Sequence, residues 1–381
     1  MKKKTENNRF QGKDRRTFPK ASSLGGGASP STHAGISAQS EPKTAKKKFV
    51  EKIDIFCHIL PRKYNEVLLK KAKSCYYLKT SGSKPALTDL DIRFRAMDKY
   101  EGLRQVLTLG APPIEYVVSP KDAVELARMG NDEMAELVNK YPDRFVAAVA
   151  NLPMNDINAS LRETERAIKE LKFKGIQIAS SINGKPLDSP EFLGIYEKMA
   201  QYDLPIWLHP TRDNNIPDYP DEGFSKYALF VAFGWPYETT LAMARLVFGG
   251  IMEKYPNIKF ITHHCGAMLP FFSKRVGLSQ AALQAVQAGE VVKLTKPPLE
   301  YFKRFYGDTV LGGNTPALMC GYAFFGADNL LFASDYPYPG GAEKGDVALG
   351  EVIESVNLMN ITKEEKAKIF SKNTRRILSL P

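Results

Sequence analysis

The sequence predicts an α/β protein organised as a single (β/α)8 barrel of the TIM type. Two observations support this fold class. From Phe49 onward, short β-type runs alternate with longer helical segments at least eight times. Several runs are solidly hydrophobic, among them residues 145–150 and 174–179. Strands buried on both faces have this composition, and they occur in parallel sheets covered by helices.

Eight segments are candidate strands: residues 51–57, 103–109, 145–150, 174–179, 204–208, 258–263, 305–310 and 330–334. The ends of four of them carry side chains that can bind a metal. These side chains are His58, His209, the pair His263 and His264, and Asp335, and the chain has five histidines in all. In a closed barrel these four strand ends share one rim. In the alternative, an open doubly wound sheet, the first and last could lie far apart. The strand-end residues therefore favour the barrel.

Helix signals lie between the strand candidates. Ser119 is a predicted N-cap, and Pro120 stands in the first turn of a helix that extends to Tyr141. Apolar residues at helical spacing predict two further helices, over residues 158–171 and 238–255.

The charge of the chain is concentrated at its amino terminus. The formal net charge is +11, but residues 1–48 contain twelve of the Lys and Arg residues and only three acidic ones. Residues 49–381, the predicted barrel domain, are therefore nearly neutral, which argues against a nucleic-acid partner. No later segment has the apolar length of a membrane span. Four cysteines in a chain of this length do not form a disulfide framework.

The predicted tail, residues 1–48, is rich in Lys, Ser, Gly and Ala and is expected to be disordered. Residues 14–20 (DRRTFPK) and the uncharged run over residues 21–40 resemble a twin-arginine export signal with a small-residue cleavage site. Pro19 departs from that pattern, where a Leu is expected. Two locations stay open: export to the periplasm, or the cytoplasm with a disordered basic tail.

Imidazole and carboxylate groups at strand ends suit a divalent metal such as zinc, with positions left for water and substrate. His58, His209 and Asp335 each precede a proline or lie close to one, which ends the strand. His263 and His264 are adjacent, so on an extended chain they point to opposite faces. Spacing alone does not decide which of the two faces the centre.

Seven separated blocks of sequence resemble the amidohydrolase-related superfamily, and within it the family of aminocarboxymuconate-semialdehyde decarboxylase. The blocks are residues 53–61 (IDIFCHILP), 152–154 (LPM), 174–178 (KGIQI), 208–210 (LHP), 236–240 (PYETT), 249–256 (GGIMEKYP) and 334–339 (SDYPYP). The resemblance covers essentially all of residues 51–379. It implies a barrel that holds one metal, usually zinc, with manganese or iron as alternatives.

In that family the ligands are an H-x-H pair on the first strand, a His on the fifth and an Asp on the eighth. The resemblance therefore assigns His58, His209 and Asp335 to the metal. A sixth-strand His, six residues before a proline, acts on water at the metal. Counting back from Pro270 selects His264, with Asp335 as the second catalytic group.

The chain departs from this pattern at Phe56, which stands where the first His of the H-x-H pair is expected. Cys57 should point away from His58, because side chains alternate along a strand. Asp54 is on the correct face but lies roughly 13 Å from His58 at about 3.3 Å per residue. Neither is a convincing substitute. A three-ligand site is the main expectation, and loss of the metal is the alternative.

A second departure concerns the substrate. Two long loops, residues 62–92 and 211–237, follow the first and fifth strands and are expected to shape the pocket. Family decarboxylases hold a carboxylate with an arginine from the first of these loops, but residues 63–92 contain only lysines as cations. Arg212 is the candidate replacement, with Trp235 and His263 as further substrate-side residues. The aminocarboxymuconate substrate itself is therefore not expected.

The resulting prediction is a metal-dependent carboxy-lyase, a non-oxidative decarboxylase that acts on a small aromatic or unsaturated carboxylic acid. The same residues could instead hydrolyse an amide, ester or lactone, because activated water is the shared reagent. Phe56 also motivates a third alternative, a metal-free barrel with a binding role. The resemblance further suggests a homodimer.

Overall fold

Eight parallel strands form the centre of the structure, a computed structural model that describes residues 49–286, 292–339 and 341–381. The predicted tail and its twin-arginine-like segment, residues 1–48, lie outside the described residues. The strands are β1 (Lys52–Ile59), β2 (Leu103–Leu109), β3 (Phe145–Ala148, continued by Ala150–Asn151), β4 (Ile176–Ala179), β5 (Ile206–His209), β6 (Phe260–Thr262), β7 (Tyr306–Asp308) and β8 (Leu330–Leu331).

Backbone hydrogen bonds close these strands into a barrel. Neighbours in sequence pair in parallel from β1 to the first part of β3, and from its second part to β8. Between the two parts, Val149 N donates to Leu107 O at 3.0 Å. Beyond β8 the chain bonds back to β1: Ile55 N donates to Phe332 O at 2.9 Å, and His58 N donates to Tyr336 O at 2.7 Å. The predicted (β/α)8 barrel is confirmed, and the open sheet is not.

The helices follow the strands in the expected alternation. They are α1 (Arg62–Lys71), α2 (Tyr76–Ser81), α3 (Leu90–Asp98), α4 (Ile114–Val117), α5 (Pro120–Lys140), α6 (Ile157–Lys169), α7 (Leu193–Tyr202), α8 (Trp235–Phe248), α9 (Ile251–Lys254), α10 (Leu269–Val286), α11 (Pro298–Phe302), α12 (Thr315–Phe325), α13 (Gly341–Asn357), α14 (Lys363–Ala367) and α15 (Asn373–Leu378). Among the described residues, no helix has both the length and the apolar character needed to cross a membrane.

Two helix predictions are close, and one is corrected. Ser119 caps α5 as expected, with its hydroxyl accepting from Asp122 N at 3.3 Å. The helix predicted over residues 158–171 is α6, which Asp156 caps. The helix predicted over residues 238–255 is instead two helices, α8 and α9. They are separated where Gly250 takes a φ of +77°, a conformation that glycine adopts without a steric penalty.

Two groups of buried apolar residues stabilise the barrel. The larger packs the helices against the outside of the sheet. The smaller includes Ile53, Val106 and Trp207 and lies inside the barrel, where Trp207 on β5 donates its indole N–H to Ile55 O on β1 at 2.8 Å. This interior is packed with side chains, so a ligand can enter only at the rim where the carboxyl ends of the strands meet.

Candidate metal centre and active site

Five of the predicted site residues meet at the carboxyl-terminal rim of the barrel: His58, His209, His263, His264 and Asp335. His58 Nε2 lies 3.1 Å from Asp335 Oδ1, and His263 Nε2 lies 3.4 Å from the same oxygen. One ring nitrogen each of His58, His209 and His263 lies within 4.8 Å of the other two. The three histidines are buried, with relative exposures of 0%, 7% and 1%. The closed barrel thus brings residues separated by up to 277 positions into one cluster.

Strand ends were predicted slightly wrongly at both sides of this cluster. His58 is the seventh of eight residues of β1 and lies inside the strand, not at its end. The predicted strand over residues 330–334 is regular only at Leu330–Leu331. Beyond it the ladder becomes irregular, and Asp335 takes a φ of +59°, an unusual conformation for a residue other than glycine. The carboxylate therefore lies on a turn that Asp335 N anchors by donating to Phe56 O at 3.0 Å.

Hydrogen bonds orient His58 and His209. The Thr108 hydroxyl donates to Cys57 O at 2.8 Å, so its oxygen is left to accept from His58 Nδ1 at 3.1 Å. His209 Nδ1 lies 2.7 Å from Pro210 O, which can only accept. In both rings Nδ1 therefore carries a hydrogen, and Nε2 is left for another partner. Burial and then the nearby His58 and His263 lower the pKa of His209 well below its usual value, so this ring is neutral.

Asp308, at the end of β7, orients His263. Its Oδ2 accepts from His263 Nδ1 at 2.6 Å, and its Oδ1 accepts from the backbone N–H groups of Cys265 and Val310 at 2.9 and 3.0 Å. Burial opposes the charged form of the imidazole, but the charge of Asp308, its hydrogen bond and Asp335 outweigh burial and raise the pKa of His263. His263 therefore points its Nδ1 at one carboxylate and its Nε2 at another.

His264 differs from His263 in its backbone conformation, its hydrogen bonding and the direction of its pKa shift. It begins a short turn with a φ of +56°, and its ring centre is 4.3 Å from that of His263. Within the described residues its Nδ1 has no hydrogen-bond partner. Burial, with the nearby charge of His263 second, lowers the pKa of His264 to about 4. His264 is therefore a neutral imidazole with a nitrogen free to accept a proton.

Asp335 is held as a carboxylate. Burial alone would raise its pKa, but the close approach of His263 and His58, with Nε2 atoms 3.4 and 3.1 Å from Oδ1, outweighs burial and keeps the pKa well below its usual range. Its side chain is 13% exposed, whereas that of His58 is 0% exposed. The negative charge is thus partly accessible from the mouth of the barrel.

Phe56 stands in the middle of the histidines. Its ring centre is 4.2 Å from that of His263, 5.5 Å from that of His58 and 5.9 Å from that of His209. As expected, Cys57 points away, and its thiol donates to Val106 O at 3.3 Å. The side chain of Phe56 thus lies where the family resemblance places the first histidine of the H-x-H pair. It offers an apolar ring there and no ligand atom.

Asp54 does not approach the histidines as a ligand. Its Oδ1 accepts from Ser334 N at 3.0 Å, and its Oδ2 accepts from the Ser334 hydroxyl. Burial outweighs these hydrogen bonds and raises the pKa of Asp54 to about 7. Asp54 therefore fixes the turn that carries Asp335 against β1.

An aromatic wall borders the cluster on the side of β5. The Trp235 ring lies 6.4 Å from that of His209 and is stacked on Tyr77, with ring centres 5.8 Å apart and planes 9° from parallel. Both Tyr77 and Trp235 donate to Arg212 O, at 3.0 and 3.2 Å. The Arg212 guanidinium itself pairs with Glu238, with Nη1 3.0 Å from Oε1. Trp235 is thus near the cluster as expected, while the charge of Arg212 already has a partner.

A narrow cleft reaches His209 from the side of β2 to β4. Gly110, Pro112, Glu115, Asn151 and Gln177 are among the residues that line it. Glu115 is 6% exposed, and burial raises its pKa to about 7. A buried carboxyl group with a raised pKa therefore faces the same cleft as His209.

Several residues of the site were not predicted: Asp308, Thr108, Tyr77 and Glu115. Asp308 is the last residue of β7, but the predicted strand extends to residue 310, so Asp308 does not stand out as a strand end in the sequence. Thr108 is the next-to-last residue of β2. Tyr77 and Glu115 lie in short helices of the rim and have no comparable signal in the sequence.

Comparisons with known proteins identify the family of the chain. The family model described as amidohydrolase matches residues 53–380. The chain is 30% identical over 279 residues to 2-amino-3-carboxymuconate-6-semialdehyde decarboxylase of Dictyostelium discoideum, covering 73% of each chain. It is 32% identical over 261 residues to gamma-resorcylate decarboxylase of Polaromonas sp., covering 65% of this chain and 77% of that one.

A solved structure is similar over most of the chain. It is 5-carboxyvanillate decarboxylase of Novosphingobium aromaticivorans in complex with manganese and 4-hydroxy-3-methoxy-5-nitrobenzoic acid. The TM-score is 0.75 at 27% identity, and the match covers 89% of this chain and 98% of that one. Similarity to these relatives confirms three predictions: an enzyme, the carboxy-lyase class and a divalent metal. The chain belongs to the amidohydrolase family, and the relatives named here are decarboxylases of that family.

Proposed function

We propose that this chain is a metal-dependent carboxy-lyase that releases carbon dioxide from a small aromatic carboxylic acid. The observation that carries the proposal is the cluster of three oriented histidines and an ionised Asp335 beside the stacked rings of Tyr77 and Trp235. An electron-rich aromatic acid fits such a pocket, since aromatic rings favour stacked neighbours. The relatives named above are decarboxylases of small acids, which supports the same reaction.

The donor set fits a divalent metal. His58 and His209 have their Nδ1 hydrogens directed at protein acceptors, which is how metal-binding histidines are commonly oriented. Asp335 adds a carboxylate that is ionised at neutral pH. Zinc is our first candidate from the family resemblance, and manganese is the second, since it is bound in similar structures. A bound metal would polarise a substrate oxygen next to the bond that breaks.

The reaction itself breaks one carbon–carbon bond and forms one carbon–hydrogen bond. The electron pair of the broken bond stays on the ring carbon, a proton takes the place of the carboxylate, and carbon dioxide leaves. His264 and Asp335 are the two members of the cluster that are partly accessible to a ligand. We assign proton handling to them: His264 can take up a proton from water on its unbonded Nδ1 and pass it to the ring carbon, and the Asp335 carboxylate can accept a proton in turn.

On the substrate side, we assign stacking to Trp235 and carboxylate binding to Arg212. To bind the substrate carboxylate, Arg212 would have to release Glu238. Both partners are carboxylates that can accept two hydrogen bonds from a guanidinium, so the exchange replaces like with like. Lys84, from the segment after β1, is a second cation near the rim, and it donates to Tyr338 O at 2.7 Å. Burial lowers the pKa of Lys84, and the negative charge of Asp335 opposes that shift.

A panel of aromatic acids tests the function. Purified protein loaded with manganese or zinc would be incubated with 2,6-dihydroxybenzoate, 5-carboxyvanillate and 6-methylsalicylate, and released carbon dioxide would be measured. We expect release from at least one acid, its loss after chelation, and its loss in His264→Asn. Turnover of lactones or esters with no carbon dioxide from any acid would favour the hydrolase instead. Equal, substoichiometric metal in the wild type and in His209→Ala/Asp335→Ala would leave only the metal-free binding barrel.

We further propose export through the twin-arginine-like segment and assembly as a homodimer. The first rests on Arg15, Arg16 and the uncharged residues 21–40, and the second rests on the family resemblance. Sequencing the mature amino terminus tests the first proposal, since an intact start in the cytoplasmic fraction would contradict it. Light scattering of the purified protein tests the second, with a mass near 42.5 kDa as the contradicting result.

A further inference from the structure

We propose that His263 is a metal ligand in this chain and replaces the ligand that position 56 does not supply. The inference rests on the proposed metal-dependent function and deepens it. The donor set becomes His58, His209, His263 and Asp335, four groups in place of the three that the sequence comparison leaves. This role also replaces the substrate-side role that the sequence suggested for His263.

The first argument is that His263 belongs to every close set of donors at the rim. Within the described residues, two groups of three donors have ligand atoms that all lie within 4.8 Å of one another. One is His58, His209 and His263, and the other is His263, His264 and Asp335. The set of His58, His209 and Asp335 is not among them. A metal held at this rim by neighbouring donors therefore meets His263 in either case.

The second argument comes from the distances around Asp335. A tetrahedral zinc site has bonds of about 2.0–2.1 Å, so two of its ligand atoms lie about 3.3–3.4 Å apart. Asp335 Oδ1 lies 3.1 Å from His58 Nε2 and 3.4 Å from His263 Nε2. The His263 separation matches the edge of such a tetrahedron, and the His58 separation is about 0.2 Å shorter, so His263 approaches Asp335 at least as a ligand should.

The third argument is the orientation of the rings. His58, His209 and His263 each direct Nδ1 at an oxygen of the protein, and for His263 this oxygen is a buried carboxylate of Asp308 at 2.6 Å. A carboxylate behind the distal nitrogen fixes the tautomer of a metal-binding histidine and raises its basicity as a ligand. His264 lacks any such partner within the described residues, since its Nδ1 is unbonded. The two adjacent histidines are thus built differently: His263 like His58 and His209, and His264 like a group that acts on a substrate.

The fourth argument explains the apolar residue at position 56. The Phe56 ring is fully buried and packs most closely on His263, at 4.2 Å between ring centres. It supports that imidazole on one side, while Asp308 holds its Nδ1 edge. Phe56 thus holds in place the ring that we assign as the new ligand, and it keeps water from that side of the cluster.

The experiment compares His263→Asn with His264→Asn, each purified as the full chain. An Asn amide reaches about as far as Nδ1 of histidine, so His263→Asn keeps a donor for Asp308 and deletes only Nε2. Zinc and manganese affinity would be measured by competition with a chelator, and folding by circular dichroism. We expect His263→Asn to lose at least about 100-fold in affinity, the upper end of the loss caused by removing an outer-shell partner. We expect His264→Asn to bind metal within about threefold of the wild type.

Two further measurements keep the proposal testable if His263→Asn fails to fold. Phe56→His/His263→Asn restores a first-strand imidazole and should regain metal binding. X-ray absorption of the zinc-loaded wild type should show three imidazoles at the metal. Two imidazoles, or wild-type affinity in folded His263→Asn, would overturn the assignment of His263 while leaving the carboxy-lyase intact. A wild type that binds no metal and releases no carbon dioxide would instead overturn the proposed function.

Discussion

Replacing Asp308 with Asn changes one atom behind His263 and should weaken metal binding. Asp308 Oδ1 accepts from two backbone N–H groups, so the carbonyl oxygen of an Asn must stay at that position. The amide NH2 then faces His263 Nδ1, where Oδ2 now accepts at 2.6 Å. Because two donors cannot pair, Nδ1 must become the acceptor and the ring hydrogen moves to Nε2. A protonated Nε2 cannot bind a metal.

The expected loss can be worked out. Removing the partner of a metal-binding histidine typically weakens metal affinity about 10- to 100-fold, or about 1.4–2.7 kcal/mol. At a metal concentration about 100 times the wild-type Kd, binding stabilises the folded wild type by about 2.7 kcal/mol. At the same concentration the variant would gain only about 0.4–1.4 kcal/mol. Urea unfolding with and without zinc measures both values.

The control is Asp89→Asn, which alters a carboxylate that caps α3 by accepting from Ile92 N at 3.0 Å. An Asn there is also a good cap, so this variant should keep the full metal-dependent stabilisation. If Asp308→Asn also keeps it, then the orientation of His263 does not matter to the metal, and the reasoning from its tautomer is refuted.

Three other changes test separate parts of the site. Phe56→Ala should lower the free energy of unfolding of the metal-free protein by about 3–5 kcal/mol in urea titrations, because it deletes a fully buried ring. A loss below about 1 kcal/mol would contradict this and mean that neighbouring side chains fill the space the ring leaves. Trp235→Ala should raise KM for an aromatic acid about 2- to 12-fold with kcat nearly unchanged, as expected for loss of a stacking partner; an unchanged KM would remove Trp235 from the binding site. Glu115 has a pKa raised by burial from 4.5 to about 7, so the folded state holds its proton more tightly than the unfolded state. Its contribution to stability is therefore lost as pH rises from about 4.5 to 7, and Glu115→Gln should become more stable relative to wild type by up to about 3 kcal/mol over that range in urea unfolding; a pH-independent difference would contradict the shift.

The fold and most of the cluster could be predicted because both depend on patterns local to each strand. A buried parallel strand is a continuous apolar run, and a polar residue at its carboxyl end stands out against that run. His58, His209, the pair His263 and His264, and Asp335 were found in this way, and closure of the barrel brings them together. Asp308 was missed because the predicted strand extends to residue 310, whereas β7 ends at Asp308 itself.

What sequence could not decide is which way adjacent side chains turn. His263 and His264 are adjacent, so in a strand they would point to opposite faces. The chain leaves β6 after Thr262, however, and His264 takes a positive φ. Strand alternation therefore no longer applies to the pair, and their roles depend on Asp308, a residue 45 positions away. Arg93 was equally out of reach: it is fully buried, donates to the His58 carbonyl, and reaches Gln105 Oε1 at 2.8 Å.

Arg93 and Asp54 show why the rim can keep its geometry although one expected ligand is missing. Arg93 binds the backbone of His58 from the side of α3, and Asp54 binds Ser334, next to Asp335, from inside β1. Neither contact uses an atom that would bind the metal. The protein therefore holds His58 Nε2 and Asp335 Oδ1 3.1 Å apart without needing a metal to do so. A site arranged in this way needs only one more well-placed donor to compensate for Phe56. Because Asp308 already fixes His263 at 3.4 Å from Asp335, the loss at β1 and the gain after β6 can occur without moving either strand.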